Sequence, residues 1–346
     1  MFKSVIQIVR RFGCVGGMES YVWFMSHELA KLGYQVTVIC EESDTPYDPS
    51  IEIVSVYKSL ARRRWKAMRD FNVQMDHLFK ARPDLLNSII HSHERTAWHH
   101  VTTFHGPPMK AEQPLPWYKK LSSRVRYWLD VESRELCGPR VQRIVPVSQM
   151  IGSQLRDLYP EASCRMMGPA YPALTSSSSK PFKECGQIFK LLFVGREWKR
   201  KGLSKAVKVC EALALRHPVQ LDVFGVEGID VQQSLALPFV KFWGYRAEVP
   251  FEQYDLLVHP AVSEPFGMVV IEALSAGCRA LVSDRVGAAE YIHDGLVVME
   301  SHSTPSQWAE AALELLGRNP AQSPKFATWA DVAVYYDTAV YEGVEV

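Results

Sequence analysis

Two carboxylates eight residues apart stand out in the stretch SEPFGMVVIEALSAG. Glu264 precedes a Pro-Phe-Gly turn, and Glu272 lies in an apolar run that predicts a buried helix ending at Gly277. Eight helical residues rise about 12 Å along the axis and turn the side chain by about 80°. Both carboxylates can therefore border one face of a ligand cleft. The structural alternative makes Glu264 a helix N-terminal charge and Glu272 a satisfied, half-buried side chain.

The first turn of this predicted helix offers backbone donors that no helical carbonyl binds. They are the N–H groups of Phe266, Gly267, Met268 and Val269. Helix N-termini attract phosphate, and carboxylates accept hydrogen bonds from hydroxyls. A sugar–diphosphate–nucleoside would therefore place its diphosphate at these donors, its sugar at Glu264 and its ribose at Glu272.

Two cations follow another predicted strand, in the segment GREWKRKG. Arg196 and Lys201 flank a strand-to-helix turn, and two cations that converge beside a helix start neutralise a diphosphate leaving group. Lys199 and Arg200, which lie between them, are neighbours that could be solvated. Taken alone, the whole segment also fits plain surface charge.

A glycine-rich turn, RRFGCVGGMES, follows the first predicted strand. Gly16 and Gly17 stand where glycines let backbone N–H groups approach a phosphate or a sugar hydroxyl at a helix N-terminus. The alternative is a tight turn that needs positive φ. The pattern is not G-x-G-x-x-G, which disfavours a nicotinamide cofactor.

Five histidines crowd the stretch HSHERTAWHHVTTFHG. Zinc is a candidate ligand, but no H-E-x-x-H helix is present and the adjacent His99 and His100 do not readily face one ion, so no metal site is expected. His105 differs because it ends a predicted strand, where the ligand cleft of an open parallel sheet lies. Its alternative is an edge histidine with a structural role.

These residues belong to alternating strands and helices, which predict an α/β fold with parallel sheets. Strands are predicted at 5–9, 36–40, 88–91, 101–105, 144–148, 190–194, 219–224, 256–259 and 280–283, and helices at 18–32, 203–216 and 267–275. A turn-rich stretch with four consecutive serines divides the chain. We therefore expect two Rossmann-like domains, 1–168 and 169–325, with a helix over 326–346 that packs back on the first.

The composition is that of a soluble globular protein, with 47% apolar residues, 22% charged residues and a net charge of +1. Residues 1–168 carry 23 Lys and Arg against 17 Asp and Glu, a net of +6, whereas residues 169–346 carry 16 against 21, a net of −5. The two halves therefore suit different partners. Seven scattered cysteines without C-x-x-C favour reduced thiols in the cytoplasm.

Together these motifs resemble those of the family 4 glycosyltransferases, whose two Rossmann-like domains face each other across a cleft in the GT-B fold. The E-x7-E pair in HPAVSEPFGMVVIEALSAG is the most specific part, and VGREWKRKG, the GG loop and TTFHG support it across nearly the whole chain. One departure is the segment GVEG after Phe224, where the usual glycine-rich stretch is followed by a short loop. That departure leaves the base contacts open.

The resemblance implies a role for each matching residue. Arg196 and Lys201 would hold the diphosphate. Glu264 and the N–H groups near Gly267 would hold the donor sugar and phosphate. Glu272 would bind the ribose, and His105 would lie near the transferred sugar.

The resemblance also implies a reaction, which is retaining transfer of a hexose from a nucleotide sugar, expected to be UDP-linked, to a glycan or glycolipid acceptor. Within the family the sequence is most similar to bacterial lipopolysaccharide-core transferases. No metal, no other cofactor and no nucleic-acid partner are expected, and no D-x-D sequence is present. The alternatives are a sugar-nucleotide epimerase of the same fold and a non-catalytic sugar-binding module.

Two segments mix basic and aromatic residues, ARRRWKAMR from residue 61 and WYKKLSSRVRYWL from residue 117. On a helix, the second segment places one stripe of apolar residues together, namely Trp117, Leu121, Val125, Trp128 and Leu129. A basic amphipathic helix with tryptophan is typical of membrane surfaces, so an anionic membrane on the cytoplasmic side is an expected partner. The alternative is a helix that packs this stripe on its own domain.

Overall fold

The computed structural model describes residues 3–44, 48–110, 122–175, 181–182, 186–318 and 324–346. The chain divides into two compact units. Unit 1 comprises Met1–Ala173 and Thr328–Val346, and unit 2 comprises Leu174–Ala327. The division therefore falls after Ala173 rather than after residue 168, and the C-terminal segment belongs to unit 1.

Unit 1 is built on a parallel sheet whose strands are β1 Ser4–Ile8, β3 Gln35–Cys40, β5 Glu52–Ser55, β6 Ile89–Ser92, β7 Val101–Phe104 and β8 Arg143–Pro146. Their order across the sheet is β5-β3-β1-β6-β7-β8. Two short strands, β2 Arg11–Phe12 and β4 Glu42–Ser43, pair with each other. The described helices of this unit are α1 Gly17–Lys31, α2 Arg64–Ala81, α3 Ser123–Cys137, α4 Gln149–Leu158 and α10 Trp329–Tyr335.

Both faces of the unit 1 sheet are covered, which explains why its strands read as nearly continuous apolar runs. Successive side chains of β1 alternate between the faces. Val5 packs in the cluster that contains Tyr21 of α1 and Trp329 of α10. Ile6 and its face neighbours pack in a second cluster, which contains Phe71 of α2. The C-terminal helix α10 thus forms part of the core of unit 1.

Unit 2 is built on a second parallel sheet, with strands β9 Phe189–Val194, β10 Val219–Phe224, β11 Val240–Gly244, β12 Leu256–His259, β13 Arg279–Ser283 and β14 Leu296–Met299. Their order is β11-β10-β9-β12-β13-β14. The described helices are α5 Trp198–Lys201, α6 Leu203–Ala214, α7 Ile229–Ser234, α8 Met268–Ser275 and α9 Pro305–Leu316. Leu191, Leu221 and Val258 of the sheet pack with Trp308 of α9 in one buried cluster.

The two sheets share one topology, which confirms the predicted pair of Rossmann-like α/β units. In each sheet the strand order reverses beside the first strand of the unit, between β1 and β6 in unit 1 and between β9 and β12 in unit 2. Ligands of such folds bind outside the carboxyl ends of the strands at this reversal. The residues that follow these strands are therefore the candidate ligand-binding residues. Among the described residues, no helix is both long and apolar enough to cross a bilayer.

Candidate active site

The turn that carries Glu264 is fixed by main-chain hydrogen bonds to the segment that follows β13. The N–H of Glu264 donates to the carbonyl of Arg285 at 2.8 Å, and its carbonyl accepts from Gly287 at 3.0 Å. Gly267 then enters α8 at a φ of +95°, a backbone conformation that favours glycine. The sequence Glu-Pro-Phe-Gly thus holds a carboxylate rigidly at the start of a helix.

The Glu264 carboxylate faces two cations. Its Oε2 lies 3.2 Å from Nη1 of Arg200 and 3.3 Å from Nζ of Lys201, and its side chain is only 12% exposed. Burial alone would raise the pKa of Glu264, but His259, Lys201 and Arg200 outweigh burial and lower it to about 2. Glu264 is therefore a carboxylate at neutral pH, able to accept hydrogen bonds and unsuited to act as a general acid.

His259 completes the surroundings of Glu264. It is the last residue of β12 and is fully buried, with its Nε2 at 3.8 Å from the same Oε2. Burial lowers the pKa of His259, so the imidazole is neutral at pH 7. No sequence motif pointed to His259, although it ends a predicted strand, which is the same signal that identified His105.

Lys201 reaches Glu264 because the chain after β9 is packed very closely. A Cβ at Gly195 would lie 2.2 Å from Cδ of Lys201. Gly202, at a φ of +81°, has room for no side chain either, because a Cβ there would lie 2.0 Å from the carbonyl oxygen of Pro260. The glycines of GREWKRKG therefore let α5 approach the end of β12.

The four basic residues in this segment have different surroundings in the structure. Arg200 is not a free surface charge, because it donates to Glu264, to Glu197 and to the carbonyl of Ser263. The reason is the single turn of α5, which directs Arg200 and Lys201 towards the Glu264 turn. Arg196 is exposed, and its guanidinium lies 4.3 Å from the centre of the Tyr245 ring.

The second carboxylate, Glu272, lies inside α8 as predicted, in a half-buried position. Burial raises its pKa, and the positive charge of Lys201 opposes that rise. Lys201 thus acts electrostatically on both glutamates of the E-x7-E pair. The contact of Glu272 with a ribose stays a prediction.

The backbone donors at the start of α8 are close to those predicted. The helix begins at Met268, and the first bond inside the turn runs from the N–H of Val270 to the carbonyl of Gly267. By position, the donors that precede this bond belong to Gly267, Met268 and Val269. Phe266 lies before the helix with a buried side chain, and its carbonyl accepts from Ala288 at 2.7 Å.

The glycine loop of unit 1 begins α1, with Gly16 as the N-cap. The structural alternative for this loop is wrong, because Gly16 has an extended φ of −162° and neither glycine is among the residues with positive φ. A Cβ at Gly17 would meet no atom within 4 Å. The backbone at Gly17 is therefore open on that side, as a binding loop requires.

His105 follows β7 and is half-buried beside Tyr21, with ring centres 4.9 Å apart. Its Nε2 lies 2.9 Å from Nδ1 of His93. Burial lowers the pKa of His105 to about 3, so the ring is neutral at physiological pH. His99 and His100 of the same stretch have other partners, namely the carbonyl of Glu135 and the N–H of Ile90. In the described part of the chain, no group of three His, Cys, Asp or Glu side chains is arranged to hold a metal.

Unit 2 also contains a cavity of about 350 Å³ beside β10 and β11. Its lining includes Asp222, Phe224, Trp243, Arg246 and Tyr254. The Asp222 carboxylate accepts from the Tyr254 hydroxyl at 2.7 Å. The predicted site residues Lys201, Glu264 and Glu272 do not line this cavity, so it is a different feature of the unit.

Comparison with known protein families agrees with the motifs. Residues 15–167 match the model described as Glycosyltransferase Family 4, and residues 188–318 match the model described as Glycosyl transferases group 1. The two matches lie in unit 1 and unit 2 respectively and together span most of the chain.

Individual relatives agree with these two family matches. The chain is 34% identical over 158 residues to the lipopolysaccharide glucosyltransferase WaaG of Escherichia coli K12, a match that covers 42% of this chain and 41% of that relative. The crystal structure of WaaG superposes with a TM-score of 0.74 at 19% identity, covering 98% of this chain and 96% of that one. Anabaena Alr3699/HepE, in complex with UDP and glucose, superposes with a TM-score of 0.60 at 14% identity, covering 97% and 95%.

Proposed function

The chain belongs to the family 4 glycosyltransferases, and from this premise we propose that it transfers a hexose from a UDP-sugar to a cell-envelope glycan, such as the lipopolysaccharide core, with retention of configuration. The observation that carries the proposal is the cluster of Glu264, Lys201 and Arg200 beside the N-terminus of α8. Such a cluster offers positive charge, backbone donors and a carboxylate to one ligand. A sugar diphosphate carries the matching groups.

The cations would stabilise the leaving group. In the bound state Lys201 would interact with the diphosphate as well as with Glu264. The N–H groups of Met268 and Val269 would add the partial positive charge of a helix N-terminus. As the bond between the anomeric carbon and the diphosphate oxygen breaks, negative charge accumulates on that oxygen. Fixed cations and dipoles that meet this charge supply the largest protein contribution to such a reaction. Arg196, at the beginning of the same segment, is a further candidate for binding the diphosphate.

The carboxylates would orient the donor. Glu264, ionised at neutral pH, accepts from sugar hydroxyls, and Glu272 accepts from ribose hydroxyls, since ionised acceptors form strong hydrogen bonds. The acceptor hydroxyl then attacks the anomeric carbon from the face that the diphosphate leaves, and the departing phosphate oxygen takes its proton. This sequence of bond changes retains the configuration and needs no covalent enzyme intermediate. His105 is proposed to lie near the transferred sugar, and Gly16 and Gly17 are proposed to bind the donor.

The proposal includes no metal, because the protein's own cations meet the diphosphate. The similarity to WaaG supports a lipopolysaccharide-type acceptor. The structure of Alr3699/HepE, which is a complex with UDP and glucose, supports a UDP-hexose donor. An acceptor of this kind is displayed at a membrane. We therefore propose peripheral attachment through the exposed basic residues at the start of α2, among them Arg62, Arg63 and Arg64.

A donor panel tests the proposed activity. Purified protein is mixed with UDP-, GDP- and ADP-hexoses, and thermal shift and release of nucleoside diphosphate are recorded, with and without EDTA. Slow release from one UDP-hexose, unchanged by EDTA and faster with core oligosaccharide, supports the proposal, and NMR of the product gives its anomeric configuration. Conversion of the donor to an epimer, or binding without any turnover, contradicts it.

A further inference from the structure

A continuous chain of side-chain hydrogen bonds runs through the interior of unit 1 from the carbonyl of Ala170 to His105. It passes, in order, through Tyr21, Tyr336, Thr103, His91, Tyr341, Gln7 and His93. These seven side chains are buried, and His105 at the end of the chain is half-buried. Each hydroxyl and each neutral imidazole in this chain has one proton to donate, and the Gln7 amide has a donor end and an acceptor end. The direction of one hydrogen bond therefore determines the direction of the next.

The first links fix the direction. The Tyr21 hydroxyl lies 3.4 Å from the carbonyl oxygen of Ala170, which can only accept. Tyr21 therefore accepts from the Tyr336 hydroxyl at 3.1 Å, and Tyr336 accepts from Thr103. The Thr103 hydroxyl has then used its proton. It accepts from Nε2 of His91 at 2.7 Å.

The same direction continues to His105. With its proton on Nε2, His91 accepts at Nδ1 from the Tyr341 hydroxyl at 2.7 Å. Tyr341 accepts from the amide nitrogen of Gln7 at 3.1 Å, which leaves the amide oxygen of Gln7 to accept from Nε2 of His93 at 2.8 Å. Nδ1 of His93 then accepts from Nε2 of His105 at 2.9 Å. Burial lowers the pKa of all three histidines, so each ring carries one proton.

We propose that this chain holds His105 as the neutral tautomer with its proton on Nε2, so that Nδ1 serves only as an acceptor for a sugar hydroxyl. The proposal rests on the proposed glycosyltransferase function for the identity of the ligand. Nε2 is occupied by His93, so a ligand has only Nδ1 to use, and an Nδ1 without a proton selects a donor such as a hydroxyl. A ligand oxygen that can only accept, such as a phosphate oxygen, is not bound there.

Tyr336 and Tyr341 act in this scheme as positioning residues. They belong to the C-terminal segment that follows α10, far along the chain from His105, and neither contacts His105 in the chain of bonds described. Their effect travels through His91, Gln7 and His93. The return of the C-terminus to unit 1 would thus serve the orientation of a site residue as well as the core.

Nitrogen-15 NMR of the full chain, labelled at histidine and free of donor and acceptor, measures the tautomer. Protonated and unprotonated ring nitrogens give well separated signals, and those of His105 are identified by their loss in His105→Gln. The wild type is expected to show a protonated Nε2 and an unprotonated Nδ1 at His105. A protonated Nδ1 in the wild type would overturn the proposal.

Tyr341→Phe tests the chain itself, because it removes the hydroxyl that fixes the orientation of the Gln7 amide. We expect His105 to become a mixture, with Nδ1 protonation detectable. Tyr335→Phe is the matched control, since the Tyr335 hydroxyl donates to the carbonyl of Gly168 at 2.9 Å and is not part of the chain. A folded Tyr341→Phe protein that keeps a single His105 tautomer contradicts the proposal.

Tyr21→Phe provides the same readout if Tyr341→Phe does not fold. It removes only the end of the chain that faces Ala170, so the remaining links lose their fixed direction and Nδ1 protonation of His105 is again expected. An unchanged tautomer in this variant also counts against the proposal. Because no substrate is present in these measurements, their outcome is independent of the donor panel that tests the enzymatic activity.

Discussion

The ammonium of Lys201 lies 3.3 Å from the Oε2 of Glu264, which means that the E-x7-E pair and the basic segment GREWKRKG form one electrostatic unit. Lys201 lowers the pKa of Glu264 and also counteracts the effect of burial on Glu272. The cation is therefore held beside Glu264 before a ligand arrives. A preorganised cation of this kind needs little rearrangement when negative charge develops on a leaving group.

Glu264→Gln should lower both activity and stability, and the loss of stability should depend on pH. The folded pKa of Glu264, about 2, is depressed from an ordinary value of 4.5, which corresponds to about 3 kcal/mol in favour of the fold. For a depressed pKa this contribution is complete above about pH 5 and disappears as the pH falls towards 2. Urea unfolding of wild type and variant should differ at pH 7 and converge near pH 2.

The exposed Glu211→Gln on α6 serves as the control for this measurement. Its unfolding free energy should match that of the wild type at both pH values. A Glu264→Gln protein as stable as the wild type at pH 7 would contradict the ion-pair role of the carboxylate.

Lys201→Ala should weaken binding of UDP by about 10- to 150-fold, the equivalent of losing a hydrogen bond to a charged group worth about 1.5–3 kcal/mol. Because its side chain is only 17% exposed and paired with Glu264, some loss of stability is also expected. Calorimetry on the folded variant separates the two effects. Lys199→Ala, at an exposed position two residues away, should leave UDP affinity unchanged, and equal losses for both lysines would remove the specific role of Lys201.

Arg200→Ala and Arg196→Ala should differ, because only Arg200 is held against Glu264 in the ligand-free protein. Arg200→Ala is expected to lower stability as well as turnover, since it frees Glu264 and the carbonyl of Ser263 from a shared partner. Arg196→Ala removes an exposed guanidinium beside Tyr245 and should lower turnover without affecting the unfolding midpoint. A stable Arg200→Ala enzyme with normal turnover would show that the pair of cations is Arg196 and Lys201, as the sequence motif suggested.

The sequence predicted the fold and the main site residues for a physical reason. Ligand sites of open parallel sheets follow the strand ends, and apolar runs locate strands such as Val219–Phe224 and Leu256–His259 without structural data. His105 was found because it ends such a strand, and Glu264 because it stands eight residues before Glu272 at the start of a predicted helix. Strands with mixed polarity, such as Glu52–Ser55, gave no comparable signal.

The remaining site residues depend on tertiary packing that spacing does not reveal. Arg200 belongs to a basic run in which each residue reads alike, and its burial arises from the close approach of α5 to β12. The link from Tyr336 and Tyr341 to His105 joins residues more than 200 positions apart, and no local pattern encodes it. Sequence reasoning therefore identified the acceptors and donors of the site but not the groups that orient them.

Glu272→Gln should separate binding from stability. Burial raises the pKa of Glu272, so the ionised carboxylate opposes folding at neutral pH and its replacement by the neutral amide should leave the protein as stable as, or more stable than, the wild type. UDP affinity should nevertheless fall, because an amide is a weaker acceptor for ribose hydroxyls than a carboxylate. Thermal unfolding and calorimetry on the same sample check both signs, and unchanged UDP affinity would exclude the ribose role.

The membrane proposal can be judged in part from the structure. Two of the five residues of the apolar stripe, Trp117 and Leu121, lie outside the described residues. The other three, Val125, Trp128 and Leu129, are half-buried. Trp128 packs against a core cluster of unit 1, so that part of the stripe fits internal packing. The basic segment at the start of α2 differs. Arg62, Arg63 and Arg64 are exposed, while Met68 anchors the helix in the core.

Arg62→Ser, Arg63→Ser and Arg64→Ser, combined in one protein, should therefore abolish binding to anionic vesicles without unfolding the chain. Each basic residue near an anionic surface contributes about 1 kcal/mol, so three of them change the partition coefficient by about two orders of magnitude. Co-sedimentation with phosphatidylglycerol vesicles measures the effect, and neutral vesicles and high salt should abolish wild-type binding. Replacing Lys208, Arg216 and Lys241 of unit 2 provides a control with the same change in net charge. Equal loss of vesicle binding in both triple variants would show that net charge alone causes the binding. Wild-type binding that does not depend on lipid charge would contradict an electrostatic attachment through α2.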